Sequence, residues 1–188
     1  MENNSNRNPK TLRKEKCMLL IIDIQSRIID AMRNKELLIE NALKLIKGMK
    51  VLNVPIYHTE QYPKGLGETI TEIKGELNSE AVHKMTFSCS GAGELFRELI
   101  NKNISQVIVC GVESHVCVQQ TVLDLISNGF QVNVAADAVT SRKKIDYELA
   151  LNRMQFNGAE ITSTESILFE VLDICGTPEF KEVIKIVK

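Results

Sequence analysis

The chain contains 188 residues and has a mass of 21.1 kDa, which suits one domain large enough to bury a hydrophobic core. Lysine and arginine together number 23 against 24 aspartate and glutamate, so the formal net charge of -1 argues against a protein built for phosphate backbones or anionic lipid. With 44% hydrophobic and 25% charged residues, the composition is typical of a globular protein rather than a disordered one.

The amino-terminal segment and the cysteines indicate where the protein resides. Residues 1–16 are polar and basic and lack the apolar stretch of a signal peptide, and the apolar run at residues 18–22 is too short to cross a bilayer. The five cysteines form no close CxxC pair, which favours free thiols in a reducing compartment. We therefore predict a cytoplasmic protein that does not bind membranes, with a polar lead-in at residues 1–16 and one domain at residues 17–188.

Short apolar runs alternate with helical patterns along the chain. Strands are predicted at residues 17–24, 54–58, 81–86, 106–112, 130–136 and 159–161. Apolar spacing predicts helices at residues 37–52, 93–100, 114–127 and 143–156, a further helix after residues 162–165, and an amphipathic tail at residues 180–187. Asn-Gly pairs at residues 128–129 and 157–158 mark the ends of two of these helices.

The predicted strands are apolar along most of their length, as strands buried on both faces usually are. Their alternation with helices predicts an α/β fold in which helices cover both faces of a parallel sheet. We therefore predict a three-layer α/β/α sandwich, Rossmann-like, with a mostly parallel six-stranded sheet.

Three chemically capable side chains follow or end predicted strands. Asp23 comes at the end of the first strand, Lys84 lies toward the end of the third, and Cys117 lies just beyond the fourth. Ligands of open parallel sheets bind beyond the carboxyl ends of the strands, so these three groups are predicted to converge at one edge.

Cys117 falls in the first turn of the helix that follows the strongest strand. Unpaired amides and the helix dipole at that position favour an anion, so we predict a readily ionised thiol whose neighbouring amides bind an oxyanion. The alternative interpretation is a small buried apolar residue, which is the usual role of a free cysteine.

Asp23 and Lys84 also allow two interpretations each. A carboxylate at the end of an apolar strand is costly unless it is paired or functional, but aspartate is also a common N-cap. A lysine beside a strand end is usually a solvated surface residue, whereas near a carboxylate and a thiol it would be an ion-pair partner.

The histidines do not indicate a metal site. His58, His83 and His115 show neither HxH nor HExxH spacing, and no phosphate-binding glycine loop is present, so we predict neither a metal nor a cofactor. His115 lies two residues from Cys117, where side chains on a helix do not face each other, which favours a structural role.

Several segments resemble those of the isochorismatase-like cysteine hydrolase superfamily. They are GVESHVCVQQTVLDL at residues 111–125, IIDIQ at residues 21–25 and KMTFS at residues 84–88. The segments TEQYPKGLG at residues 59–67 and PEFKEV at residues 178–183 resemble the branch called isochorismatase domain-containing proteins. The resemblance extends from about residue 17 to the carboxyl terminus.

The resemblance implies a role for each matching residue. Cys117 would be the nucleophile, Asp23 the base that takes the thiol proton and later activates water, and Lys84 the electrostatic partner of both. It also implies a non-proline cis peptide between Val112 and Glu113, which would aim the Glu113 amide, with that of Cys117, at the oxyanion. A homo-oligomer, dimer or larger, is implied as well.

Two differences from the sequence patterns of the superfamily argue against two of its known reactions. Nicotinamidases bind a metal through an aspartate and histidines after the second strand, whereas this region reads YHTEQYPKGLG, with a single histidine. True isochorismatases lack the nucleophilic cysteine, so Cys117 argues against isochorismate cleavage.

We therefore predict a hydrolase that cleaves a small amide-like C–N bond of a small-molecule substrate through a thioester on Cys117. One alternative is a non-catalytic interaction protein that retains the pocket. The other is a nucleic-acid-processing protein, which the net charge of -1 and the 5% aromatic content do not favour.

Overall fold

A six-stranded parallel sheet forms the middle layer of the computed structural model, which describes residues 7–188. Its strands are β1 (Cys17–Ile22), β2 (Ile56–Gln61), β3 (Val82–Lys84), β4 (Gln106–Val112), β5 (Gln131–Thr140) and β6 (Glu160–Thr162). They lie in the order β3-β2-β1-β4-β5-β6, and each adjacent pair is parallel.

Helices cover both faces of this sheet. They are α1 (Lys35–Val51), α2 (Pro63–Leu66), α3 (Thr71–Lys74), α4 (Leu95–Asn101), α5 (Gln119–Ser127), α6 (Lys144–Phe156), α7 (Thr164–Leu172) and α8 (Pro178–Val187). One core packs α1, α7 and α8 against the sheet, and a second core packs α4, α5 and α6 against the opposite face. The predicted three-layer α/β/α fold is therefore confirmed.

Alternation along the central strands supplies both cores. In β1, Leu19 and Ile21 belong to the α1 side, whereas Leu20 and Ile22 belong to the α5 side. Both β1 and β4 are buried along their entire length, so neither face of the middle of the sheet meets water. This explains why these two segments are continuously apolar.

The described part of the amino-terminal segment, residues 7–16, lies against the rest of the chain. Leu12 is fully buried, its amide donates to Glu170 Oε2 at 3.1 Å, and Arg7 Nη1 lies 3.0 Å from Asp173 Oδ1. The predicted lead-in spans residues 1–16, of which residues 1–6 lie outside the described residues. The division of the chain at residue 17 stays a prediction.

Several element boundaries differ from the predictions in ways that affect the carboxyl edge of the sheet. Strand β2 continues to Gln61 instead of ending at His58, which places Gln61 at that edge. The predicted helix at residues 114–127 divides into a π-helical turn at Ser114–Val118 followed by α5. Helices α5 and α6 end at Ser127 and Phe156, directly before the two Asn-Gly pairs, as predicted.

Within residues 7–188, no helix combines the length and the apolar character that a membrane crossing requires.

Gly111 permits the close approach of β4 to β1. It has φ 142°, and a Cβ at this position would lie 2.2 Å from the carbonyl oxygen of Ile22. We expect Gly111→Ala to lower the free energy of unfolding by about 3 kcal/mol or more, because backbone strain and overpacking add. Denaturant titration of the purified variant measures this change.

Gly129→Ala is the matched control, since Gly129 also has a positive φ, 84°, but no atom within 4 Å of the added Cβ. Its expected cost is about 1 kcal/mol, from the left-handed backbone alone. Equal losses for the two variants would contradict the steric argument.

Candidate active site

The three predicted residues meet at the carboxyl edge of the sheet. Strand β1 lies between β2 and β4, so the chain order reverses beside it, and such a reversal is where open α/β sheets bind ligands. Asp23 directly follows β1, Lys84 ends β3, and Cys117 lies in the π-helical turn after β4. The predicted convergence of these side chains is what the structure shows.

Asp23 and Lys84 form a buried ion pair. Lys84 Nζ lies 2.6 Å from Asp23 Oδ2, and the two side chains are 0% and 3% exposed, respectively. The second carboxylate oxygen of Asp23 accepts a hydrogen bond from Thr59 Oγ1 at 2.8 Å. Both oxygens are therefore occupied, as a charge removed from water requires. The alternative interpretations, in which Asp23 is an N-cap and Lys84 is a solvated surface lysine, are therefore wrong.

The ammonium group of Lys84 is surrounded by oxygen atoms. Besides Asp23, it donates to Gln61 Oε1 at 2.8 Å and to the carbonyl oxygen of Phe87 at 2.9 Å, with that of Thr86 at 3.3 Å. Because an ammonium has three protons, the three short contacts use all of them. The lysine is therefore fixed in position by its surroundings.

Cys117 is nearly covered, with 6% of its surface exposed. Its Sγ lies 3.9 Å from Gln61 Oε1, within the range of a weak S–H···O hydrogen bond. Burial and the negative charge of Asp23 together raise the pKa of the Cys117 thiol to about 12, although the positive charge of Lys84 opposes both. The prediction of a readily ionised thiol is therefore wrong, because helix-dipole reasoning omits desolvation and the adjacent carboxylate.

The peptide bond between Val112 and Glu113 is trans, so the predicted cis peptide is wrong; residues 7–188 contain no cis peptide bond. The chain turns here because Glu113 adopts a left-handed backbone, with φ 59° and ψ 60°. Val112 is fully buried, and the carboxylate of Glu113 pairs with Arg142, whose Nε and Nη2 lie 3.0 and 3.3 Å from its two oxygens. Glu113 thus fixes the turn that carries Cys117.

His115 lies in the same turn, and its ring nitrogens lie near side chains other than that of Cys117. Its Nδ1 lies 3.0 Å from Ser141 Oγ, and its Nε2 lies 3.8 Å from Glu113 Oε2. The predicted structural role of His115 is consistent with these contacts.

Three further residues at the site were not predicted to belong to it. They are Thr59 and Gln61, at the end of β2, and Cys89, whose Sγ lies 3.8 Å from Thr59 Oγ1. Cys89 is fully buried, and burial raises its pKa to about 11. Extending the second strand to Gln61 would have identified two of them, whereas nothing in the spacing marks Cys89.

Metal-binding groups are absent from the described part of the chain, in that no three His, Cys, Asp or Glu side chains there have a suitable arrangement. His58 is buried and its pKa is lowered by desolvation, and Glu60 Oε1 accepts from the amide and the hydroxyl of Thr69 at 2.7 and 2.9 Å. Glu60 therefore ties β2 to the following loop.

Comparison with known proteins identifies the family. The model of the isochorismatase domain matches residues 17–166. The chain is 35% identical to isochorismatase domain-containing protein 2A of Mus musculus over 93% of this chain and 84% of the relative. It is 36% identical to the secreted isochorismatase effector Isc1 of Phytophthora sojae, over 91% of this chain and 84% of the relative.

Among solved structures, the MAR1 ribonuclease from Caenorhabditis elegans superimposes with a TM-score of 0.87 at 33% identity, covering 94% of this chain and 91% of that one.

The Phytophthora sojae relative is described as secreted, so the cytoplasmic location of this chain stays a prediction. The matched model and the identity over most of the chain show that this protein belongs to the isochorismatase domain family, the isochorismatase-like hydrolases.

Proposed function

We propose that this protein is a cysteine hydrolase that cleaves an amide-like C–N bond of a small molecule through a thioester on Cys117. The observation that carries the proposal is the buried pair of Asp23 and Lys84, at 2.6 Å, beside a thiol at the edge of the sheet where ligands bind. A buried charge pair is expensive to maintain and is a weak source of stability, which favours a functional reason for it.

The raised pKa of Cys117 determines how the first step proceeds. The thiol is protonated at neutral pH, so its proton moves to Asp23 as Sγ forms a bond to the substrate carbonyl carbon. The C–N bond then breaks, and the leaving nitrogen takes that proton from Asp23. The products at this stage are a free amine and an acyl group on Cys117.

The second half of the reaction returns the enzyme to its starting state. Asp23 removes a proton from a water molecule whose oxygen attacks the thioester carbonyl, and the carboxylic acid leaves as the proton returns to Sγ. Lys84 carries its positive charge beside Asp23 throughout and opposes the negative charge that develops at the sulfur. One water molecule is consumed in each cycle.

The turn that carries Cys117 supports the proposed oxyanion site. The amides of Val116 and Val118, on either side of Cys117, donate to the carbonyl oxygen of Glu113 at 2.8 and 3.4 Å. These two amides are therefore engaged within the turn, and we propose, as the family resemblance implies, that the amide of Cys117 contributes to binding the oxyanion. A thiol that is only 6% exposed admits a small reacting group, which favours small-molecule substrates.

A ribonuclease activity is the second candidate, because the solved C. elegans relative is described as one. Arg7, Arg13 and Lys16 line a groove of about 690 Å³ together with Gln106, the first residue of β4. That groove lies at the amino edge of the sheet, whereas Asp23, Lys84 and Cys117 lie at the carboxyl edge, so RNA bound in the groove would not reach Cys117. Cleavage of RNA that persists in Cys117→Ala would favour this second function.

The proposed hydrolase is tested by incubating the protein with a panel of small amides and recording amine release and the intact mass. We expect Cys117→Ala to lower turnover by about 10³-fold or more and Asp23→Asn by about 10²- to 10⁴-fold. An acyl adduct on Cys117 should accumulate whenever hydrolysis of the thioester is slower than its formation.

Cys110→Ala is the matched control, because Cys110 is a fully buried thiol of β4 in the opposite core. Its turnover should equal that of the unsubstituted protein. The absence of turnover and of adducts across the panel, with a partner protein that co-purifies, would favour the non-catalytic alternative.

The raised thiol pKa gives a pH-dependent prediction. Only the thiolate reacts with iodoacetamide, so the alkylation rate of Cys117 should rise about tenfold per pH unit from about pH 7 to about pH 10. The rise has this sign because its pKa of about 12 lies above the whole range. Peptide mass spectrometry in a Cys175→Ser background, which removes the exposed thiol, measures the rate. A plateau near neutral pH would contradict the prediction.

A further inference from the structure

We propose that Gln61 is a positioning residue that keeps the ammonium group of Lys84 beside the sulfur of Cys117. The inference rests on the proposed function, since it assigns Gln61 to the same site. Gln61 Oε1 lies 2.8 Å from Lys84 Nζ and 3.9 Å from Cys117 Sγ. The side-chain oxygen of Gln61 is therefore a neighbour that the lysine and the thiol share.

The sheet places Gln61 there. Gln61 and Lys84 are paired in the register of β2 and β3. Side chains two residues apart on a strand project to the same face, so Thr59 and Gln61 point the same way. Thr59 contacts one oxygen of Asp23, and Gln61 contacts the lysine that pairs with the other. The end of β2 thus supplies a contact to each member of the ion pair.

The orientation of the Gln61 amide is fixed by its neighbours. Its Nε2 donates to the carbonyl oxygen of Met85 at 3.0 Å, which leaves Oε1 to accept from Lys84. The reverse orientation would place an NH₂ group against the ammonium and an oxygen against the Met85 carbonyl, so both contacts would be repulsive. An acceptor therefore faces Lys84 and the thiol.

The backbone of Gln61 is fixed as well, by another glutamine. Gln25 is fully buried; its Oε1 accepts from the Gln61 amide at 2.8 Å and its Nε2 donates to the Gln61 carbonyl at 3.0 Å. Gln25 lies two residues after Asp23, so it links the turn that carries the carboxylate to the strand end that carries Gln61. Gln61 is therefore held in place before a substrate binds.

This arrangement predicts that Gln61 acts on the thiol through Lys84. Without Oε1, one ammonium proton loses its acceptor, and the lysine can shift away from the sulfur whose negative charge it opposes. A role in packing alone would not change the reactivity of the thiol in a manner that depends on Lys84.

A double-mutant cycle on the alkylation rate of Cys117 tests this dependence without any substrate. In the Cys175→Ser background at about pH 9, we expect Gln61→Met to slow iodoacetamide labelling about five- to tenfold, which corresponds to a rise of at most about one unit in the pKa of Cys117, and Lys84→Met to slow it more. The double variant should match Lys84→Met within about twofold, because the effect of Gln61 passes through Lys84 and its direct contact with the thiol, at 3.9 Å, is weak. If Lys84→Met does not fold, Asp23→Asn/Lys84→Met, which leaves no unpaired buried charge, replaces it.

Gln106→Met is the matched control, since Gln106 is a glutamine only 3% exposed at the opposite end of the sheet. Its labelling rate should stay within about twofold of the background rate, as expected for a distant site. An unchanged or faster rate in Gln61→Met, or a double variant as slow as the product of both single effects, would overturn the proposal. A protein that hydrolyses no amide but shows the predicted cycle would contradict the proposed function and leave the role of Gln61 intact.

Discussion

The buried ion pair of Asp23 and Lys84 is the constraint on which the site depends. Two opposite charges with side chains 3% and 0% exposed persist only if the remaining lone pairs and protons also find partners. The partners come from the end of β2 and from the loop after β3, in the form of a hydroxyl, an amide oxygen and main-chain carbonyls. Three neighbouring strand ends are thereby fixed relative to one another by the needs of one lysine and one carboxylate.

Cys117 is held in place by a separate set of contacts. The left-handed backbone of Glu113 and its pairing with Arg142 stabilise the π-helical turn after β4, and Thr121 Oγ1 donates to the carbonyl oxygen of Cys117 at 2.7 Å. Insertions of π-helical geometry are frequent at functional sites because they place one side chain where a regular helix would not. The two sets of contacts meet at Gln61, which contacts both Lys84 and Cys117, and at Cys89, whose amide donates to Thr121 Oγ1 and whose sulfur lies 3.8 Å from Thr59 Oγ1.

Most of the fold and the core of the site were predictable from the sequence. Continuous apolar strands and intervening helices determine the layers, and the rule about carboxyl ends brings Asp23, Lys84 and Cys117 to one edge. Gln61 was missed because the polar residues at the end of β2 do not read as a strand, although pairing with β1 and β3 extends it. The ionisation of the thiol was mispredicted because burial and the distance to a neighbouring charge are properties of the folded chain.

The amino edge of the sheet holds the amino-terminal segment, whereas the carboxyl edge holds the candidate site. At the amino edge, residues 7–16 are held by hydrogen bonds, among them one from the Arg13 amide to the side-chain Oε1 of Gln106 at 2.9 Å and one from the Ser105 amide to the Lys16 carbonyl at 2.9 Å. The anchored segment and the candidate site consequently lie at opposite ends of the strands. A label attached along residues 7–16 would therefore lie at the edge of the sheet opposite Cys117, where it leaves access to the thiol unobstructed.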